Sequence, residues 1–203
     1  MRKVGLIGSL IAALSLASCK PFSLEESVEA AQHITRPNIT ISKDDDQLTY
    51  HSLNRDYRFD AAFGKTDGPK RIRGDNRTPE GDYYVCAKYS STAGFIRFLA
   101  LSYPGEDDAK RGLEQGLISG REYESIMFAH RKGVCPQFNT KLGGYVGIHG
   151  PKPMKPNKKF SFGNWLSTMN LRNWTKGCIA VDKEDIEFLY KDVSIGTRVR
   201  IKK

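Results

Sequence analysis

The chain has 203 residues, of which 39% are apolar and 27% charged. That is enough for one domain with a full core, and it excludes both a disordered tail and a miniprotein that needs staples. The formal net charge of +9 favours anionic partners. The basic residues are spread along the chain, with no zinc finger, basic zipper or RNA-binding aromatic motif, so a polyanion is expected and nucleic acid is not.

Arg2 and Lys3 precede an uncharged apolar run from Val4 to Ala17. The run is shorter than the roughly 20 residues that span a bilayer, and it has the layout of a secretory signal peptide. It ends in Leu16-Ala17-Ser18-Cys19, which resembles the bacterial lipobox, in which the cysteine is lipidated and becomes the mature N-terminus. The alternatives are an ordinary signal peptide with an incidental cysteine, or a short membrane anchor. On the lipobox reading, residues 1–18 are removed, acyl chains on Cys19 hold the protein to a membrane, and residues 19–37 form a tether. Lys20 rather than an aspartate follows the cysteine, which points to the outer membrane of a host that has one; the expected location is the periplasm. Ser23 and Glu26 make a capping box for a short helix to about Gln32, stopped by Pro37.

From Asn38 the period changes. Ile39, Ile41, Leu48, Tyr50, Tyr57 and Phe59 lie in short alternating stretches broken by Lys43-Asp44-Asp45-Asp46 and Asn54-Arg55-Asp56, the pattern of β-hairpins. The segment 61–77 is rich in turn residues and carries Lys65, Lys70, Arg71, Arg73 and Arg77. Thr78-Pro79-Glu80-Gly81 is a turn feeding a strand through Tyr83 and Val85, and Phe95 to Ser102 reads as another strand. A short helix is expected over Asp107 to Leu113. Ser119 and Glu122 form a second capping box, opening a helix to about His130 that Gly133 ends. Tyr145 to His149 reads as a strand and 151–159 as a proline- and lysine-rich loop, while Phe162 to Leu171 carries no clear period. Thr175 to Val181 is a turn into a strand, Asp182 caps a helix to about Tyr190, and Arg198 to Ile201 is a last strand. The expected fold is mainly β (α+β), a β-sandwich or barrel over residues 38–203 with a few short helices.

Two elements carry chemistry: Ile148-His149-Gly150 and Trp174-Thr175-Lys176-Gly177-Cys178-Ile179. Cys178 follows a glycine in a tight turn and precedes an apolar strand, so its thiol is expected at a strand mouth where backbone N–H groups converge. A thiol near pKa 8.5 needs a base to become a nucleophile. His149 is the natural candidate if its strand pairs with the one after Cys178. Taken singly, a buried histidine and a buried cysteine are ordinary structural residues. Of the other cysteines, Cys86 and Cys135 are either a disulfide or two unrelated thiols, and the sequence offers no metal-spaced cluster.

These motifs resemble the L,D-transpeptidase catalytic domain of the YkuD type, through Thr78-Pro79-Glu80-Gly81-Asp82-Tyr83, then His149-Gly150, then Thr175-Lys176-Gly177-Cys178. The N-terminal strand pattern and Gly68-Pro69-Lys70-Arg71 also match, and the likeness runs from about Ile39 to Ile201. The chain departs from many members at Lys176, where they have a histidine, and at Ala180, where they have an arginine. The Tyr103-Pro104 segment and the Trp174 form of the last motif look closer to a periplasmic subgroup that includes both transpeptidases and hydrolases.

The resemblance implies a cofactor-free reaction on peptidoglycan stem peptides. Cys178 attacks an amide carbonyl, His149 serves as base and then acid, and backbone N–H groups around Gly177 and Cys178 hold the oxyanion. An amine then resolves the thioester; water in its place gives a carboxypeptidase or amidase. Gly150, Thr175 and Lys176 are expected to shape the site, Lys176 either as a cation beside the thiolate or as solvated charge. Arg73, Arg77 and the lysines of 151–159 are either stem-peptide ligands or surface charge, and Trp165 and Trp174 either line the cleft or belong to the core. A catalytically silent peptidoglycan-binding lipoprotein is the alternative outside enzymology.

Overall fold

In a computed structural model, the structure describes residues 37–90, 97–151 and 173–203. The signal and lipobox segment with Cys19, the helix expected in the tether, the 151–159 lysines and Trp165 lie outside the described residues.

The alternation in the N-terminal third produces three antiparallel strands, β1 (Asn38–Ser42), β2 (Gln47–His51) and β3 (Asp56–Asp60). Ile39, Ile41, Leu48 and Tyr50 all point into the core, as a period of two requires. The following strands are β4 (Gly81–Tyr89), β5 (Phe98–Leu101), β6 (Gly147–His149), β7 (Ile179–Ala180) and β8 (Arg198–Lys202). They join one sheet in the order β3-β2-β1-β8-β4-β5-β6-β7. The last strand therefore inserts beside the first, in parallel register with Val199 opposite Ile39.

β4 belongs to both halves of the sheet. Gly81–Tyr84 pairs with β8, the remainder pairs with β5, and a register shift falls between Val85 and Ala87. A bulge of this kind bends and twists a strand, and here it curls the sheet so that one core collects side chains from both halves. Ile39, Ile41 and Leu48 meet Leu99, Leu101, Ile148 and Ile179 there. Residues after β3 close the curl by bridging to the far edge, Ala62 to Ala180 and Gly64 to Thr175. The fold is mainly β, as expected.

Among the described residues three helices flank the sheet: α1 (Glu106–Glu114), α2 (Gly120–Lys132) and α3 (Lys183–Asp192). The capping box of α2 forms as read, with Ser119 Oγ accepting from Glu122 N–H, and Gly133 ends the helix in the left-handed region at φ 66°. Asp182 sits at the N-cap of α3 but makes no side-chain capping bond, and its Oδ1 is buried without a hydrogen-bond partner among the described residues. The strand expected from Tyr145 starts only at Gly147, because Tyr145 takes a left-handed φ of 55° that no strand continues through. Cys86 of β4 and Cys135, just past α2, form a disulfide that ties the two together.

Candidate active site

β6 and β7 lie side by side in parallel, with Ile148 opposite Ile179 and His149 opposite Ala180. Side chains alternate along each strand, so His149 shares its sheet face with Ala180 and with Cys178, two residues before it. Packing agrees: Cys178 contacts the cluster of Cys86, Phe98 and Ala100, and the Phe98 ring stacks on the His149 imidazole with centroids 6.2 Å apart. Gly147 keeps that face open, since a Cβ there would come 2.4 Å from the Phe98 ring.

His149 is 1% exposed. Trp174 stands edge-on to its ring at 6.0 Å, opposite neighbours that hold the imidazole in one plane. Its Nδ1 lies 2.7 Å from Gly150 O. A carbonyl oxygen only accepts, so Nδ1 carries the proton and Nε2 is the basic nitrogen of the neutral ring. Gly150 also touches α3, because a Cβ at that position would lie 2.6 Å from Ile186 Cγ2.

The turn before Cys178 is tied by one hydroxyl. Buried Thr175 Oγ1 donates to Cys178 O at 2.7 Å and accepts from Gly177 N–H at 3.1 Å. Gly177 has φ 125°, and a Cβ there would sit 2.6 Å from Arg77 O, so only glycine fits. The Gly177 N–H is turned inward onto Thr175, while the Cys178 N–H has no hydrogen-bond partner among the described residues.

The Cys178 thiol donates to Tyr145 O at 3.4 Å, so the left-handed backbone of Tyr145 aims a carbonyl at the sulfur. Burial pushes the thiol up, to about 11, against a Gly147 backbone hydrogen bond and the Lys70 ammonium, which both pull it down. A thiol raised this far is protonated at neutral pH.

A cleft of about 450 Å³ opens on Cys178. Tyr145, 56% exposed, packs on Phe138 at its edge, with ring centroids 4.1 Å apart. Lys70, Arg73 and Lys176 line it, and no carboxylate does among the described residues. Arg73 is braced by Phe138 O and Asn139 Oδ1, both 3.0 Å from Nη2. Lys176 is exposed and makes no ion pair among the described residues, and Lys70 is the cation that pulls the thiol down. Arg77 is not in the cleft lining; its carbonyl backs Gly177 and its guanidinium lies toward Gly68. Sequence reasoning therefore reached the thiol, the imidazole and their turns but passed over Lys70, for which Gly68-Pro69-Lys70-Arg71 was the available signal.

A curled β-sheet that presents a thiol and an imidazole on one face, beside a cationic cleft, is a candidate acyl-transfer scaffold. The family model of the YkuD L,D-transpeptidase catalytic domain matches residues 36–201, and the chain belongs to that family. One of the similar solved structures reaches the level of a shared fold. The helical cell shape determining protein Pgp2 from Campylobacter jejuni has 19% identity over 83% of this chain and 48% of its own, with a TM-score of 0.50. The L,D-transpeptidase from Xylanimonas cellulosilytica has 16% identity over 83% of this chain and 61% of its own, with a TM-score of 0.44. The chain thus spans about half to three-fifths of these solved chains. Comparison with curated proteins gives no match.

Proposed function

We propose that the protein is a peptidoglycan L,D-transpeptidase that works through a thioester on Cys178. The observation that carries this reading is the parallel β6–β7 pair, which sets His149 and Cys178 on one sheet face, with Cys178 opening into a cationic cleft and His149 buried behind it. Because the resting thiol is protonated, attack and proton transfer belong to one step. His149 Nε2 takes the thiol proton as Sγ bonds to the amide carbonyl carbon of a stem peptide. The Cys178 N–H is the donor for the oxyanion, a contribution of about 3–4 kcal/mol in comparable sites. Collapse breaks the C–N bond, and the imidazolium gives its proton to the departing amine, the terminal D-alanine. The amine of a second stem then attacks the thioester, losing its proton to His149 and restoring the thiol.

The cleft cations suit a carboxylate-bearing peptide, and the disulfide suits an oxidising compartment. The disulfide is in keeping with an exported chain, and residues 1–19 alone suggest that it is held to a membrane through Cys19.

Incubation of wild-type protein and Cys178→Ala with purified tetrapeptide muropeptides, read by mass spectrometry, tests the proposal. Loss of D-alanine together with a new dimer is expected from the wild type only. Shortened peptides without dimers would replace transfer by hydrolysis. Unchanged muropeptides with both proteins would overturn the enzymatic reading in favour of peptidoglycan binding.

A further inference from the structure

The cations of the cleft are not equivalent. Arg73 and Lys176 reach it from exposed positions, whereas Lys70 is 5% exposed. A buried ammonium is costly unless it is paired and hydrogen-bonded, and the loop from Lys70 to Arg77 is organised to hold this one. Lys70 Nζ donates to Asp75 Oδ1 at 2.8 Å and to Ile72 O at 3.0 Å. Asp75 also accepts from the N–H groups of Arg71 at 2.7 Å, Ile72 at 3.0 Å and Arg77 at 3.1 Å. Burial works to raise the Asp75 carboxyl, but the hydrogen bonds from Arg71, Lys70, Ile72 and Arg77 outweigh it and leave it below the ordinary carboxylate value. Asp75 is thus a fixed anion whose charge is spread over several donors.

An ammonium carries three protons, and Asp75 and Ile72 take two; the third has no acceptor among the described residues. The side chain runs between two glycines of the cleft wall. A Cβ on Gly143 would lie 3.5 Å from Lys70 Cε, and one on Gly177 would lie 3.9 Å from Nζ. Gly177 directly precedes Cys178, so the ammonium stands immediately behind the turn that presents the thiol. Among the described residues, the other charged or titratable groups around the thiol are His149 on its own sheet face and Arg73, Lys176 and Tyr145 at the rim, with Asp75 and the Tyr103 ring, 6.0 Å from Nζ, against Lys70.

We infer that Lys70 is a positioning residue of the nucleophile: an ammonium anchored by Asp75 and Ile72 O behind Gly177, which stabilises negative charge on Cys178 Sγ. This rests on Cys178 being the nucleophile. The anchoring separates Lys70 from Lys176, whose exposed charge is screened by water and salt. It also explains why the loop encloses a carboxylate: a lysine free to swing out would leave the thiolate uncompensated.

Iodoacetamide alkylation of the full-length protein, quantified on the Cys178 peptide by mass spectrometry, reads thiolate content without needing substrate. Below the titration midpoint the rate follows the thiolate fraction. Removal of a nearby cation worth about one pH unit therefore slows alkylation about tenfold at fixed pH. Lys70→Met is expected to show that loss at pH 8, with the slope of log rate against pH unchanged and muropeptide kcat/KM lower by a similar factor. Lys70→Met/Asp75→Asn removes the stranded carboxylate charge while keeping an oxygen for the loop N–H groups, and it gives the same reading if the single variant does not fold. Alkylation at the wild-type rate in a folded variant would overturn the role of Lys70. Turnover surviving in Cys178→Ala would instead overturn the assignment of the nucleophile.

Discussion

Thr175 is where one atom decides the shape of the site. Its hydroxyl both donates to Cys178 O and accepts from Gly177 N–H, and the residue is buried. Thr175→Val keeps the volume but strands two backbone groups, each costing about 1–3 kcal/mol when buried and unpaired. The variant is expected to lose about 2–3 kcal/mol of stability in urea unfolding, whereas Thr175→Ser, which keeps both bonds, stays near the wild type. At this scale the sequence was most informative where chemistry is written into a motif. The glycine before Cys178, the threonine three residues before it, and the glycine after His149 each have a geometric reason in the structure. Lys70 and Asp75 were only partly legible: Gly68-Pro69-Lys70-Arg71 marks their segment but not their pairing. Their segment carries five cations among turn residues, and spacing alone does not tell which of them a distant glycine, Gly177, will bury.

Among the elements, α3 carries an electrostatic fault that titration exposes. Burial raises the Asp182 carboxyl, with the charges of Asp185, Glu184 and Asp60 adding to it, to about 6 from 3.8. The folded state therefore binds this proton more tightly than the unfolded chain. The group's contribution to stability declines as pH rises from about 4 through about 6. Asp182→Asn, which retains a good N-cap residue, is expected to stabilise the protein above pH 6 by about 0.5–1 kcal/mol, a figure reduced for the group's solvent screening. Urea unfolding at pH 4 and pH 7.5 checks this: the gain appears only at the higher pH, and an equal gain at both would show that charge is not the cause. Helix α2 was legible to within two residues because its signals are local, a capping box at Ser119 and a left-handed glycine at 133. β6 was read two residues too long, since nothing in Tyr145-Val146-Gly147 announces the left-handed backbone that points a carbonyl at the thiol.

At the scale of the whole molecule, the alternating pattern identified strands and fold class, but the sheet order depends on contacts far apart in sequence. The parallel pairing of β8 with β1, the division of β4 between two halves of the sheet, and the bridges from Ala62 to Ala180 and from Gly64 to Thr175, on either side of Cys178, are all of this kind. So is the Cys86–Cys135 disulfide, which closes a loop of 49 residues. These contacts give β6 and β7 their parallel register, and that register brings a histidine and a cysteine from separate motifs onto one face. The account therefore stands on whether Cys178 becomes acylated. Intact-protein mass spectrometry during turnover of a tetrapeptide muropeptide, followed by peptide mapping, measures this directly. The expected result is an added mass equal to the donor less D-alanine, located on Cys178, released by hydroxylamine and absent from Cys178→Ala. Turnover with no adduct on Cys178, or an equal adduct in the variant, would contradict it.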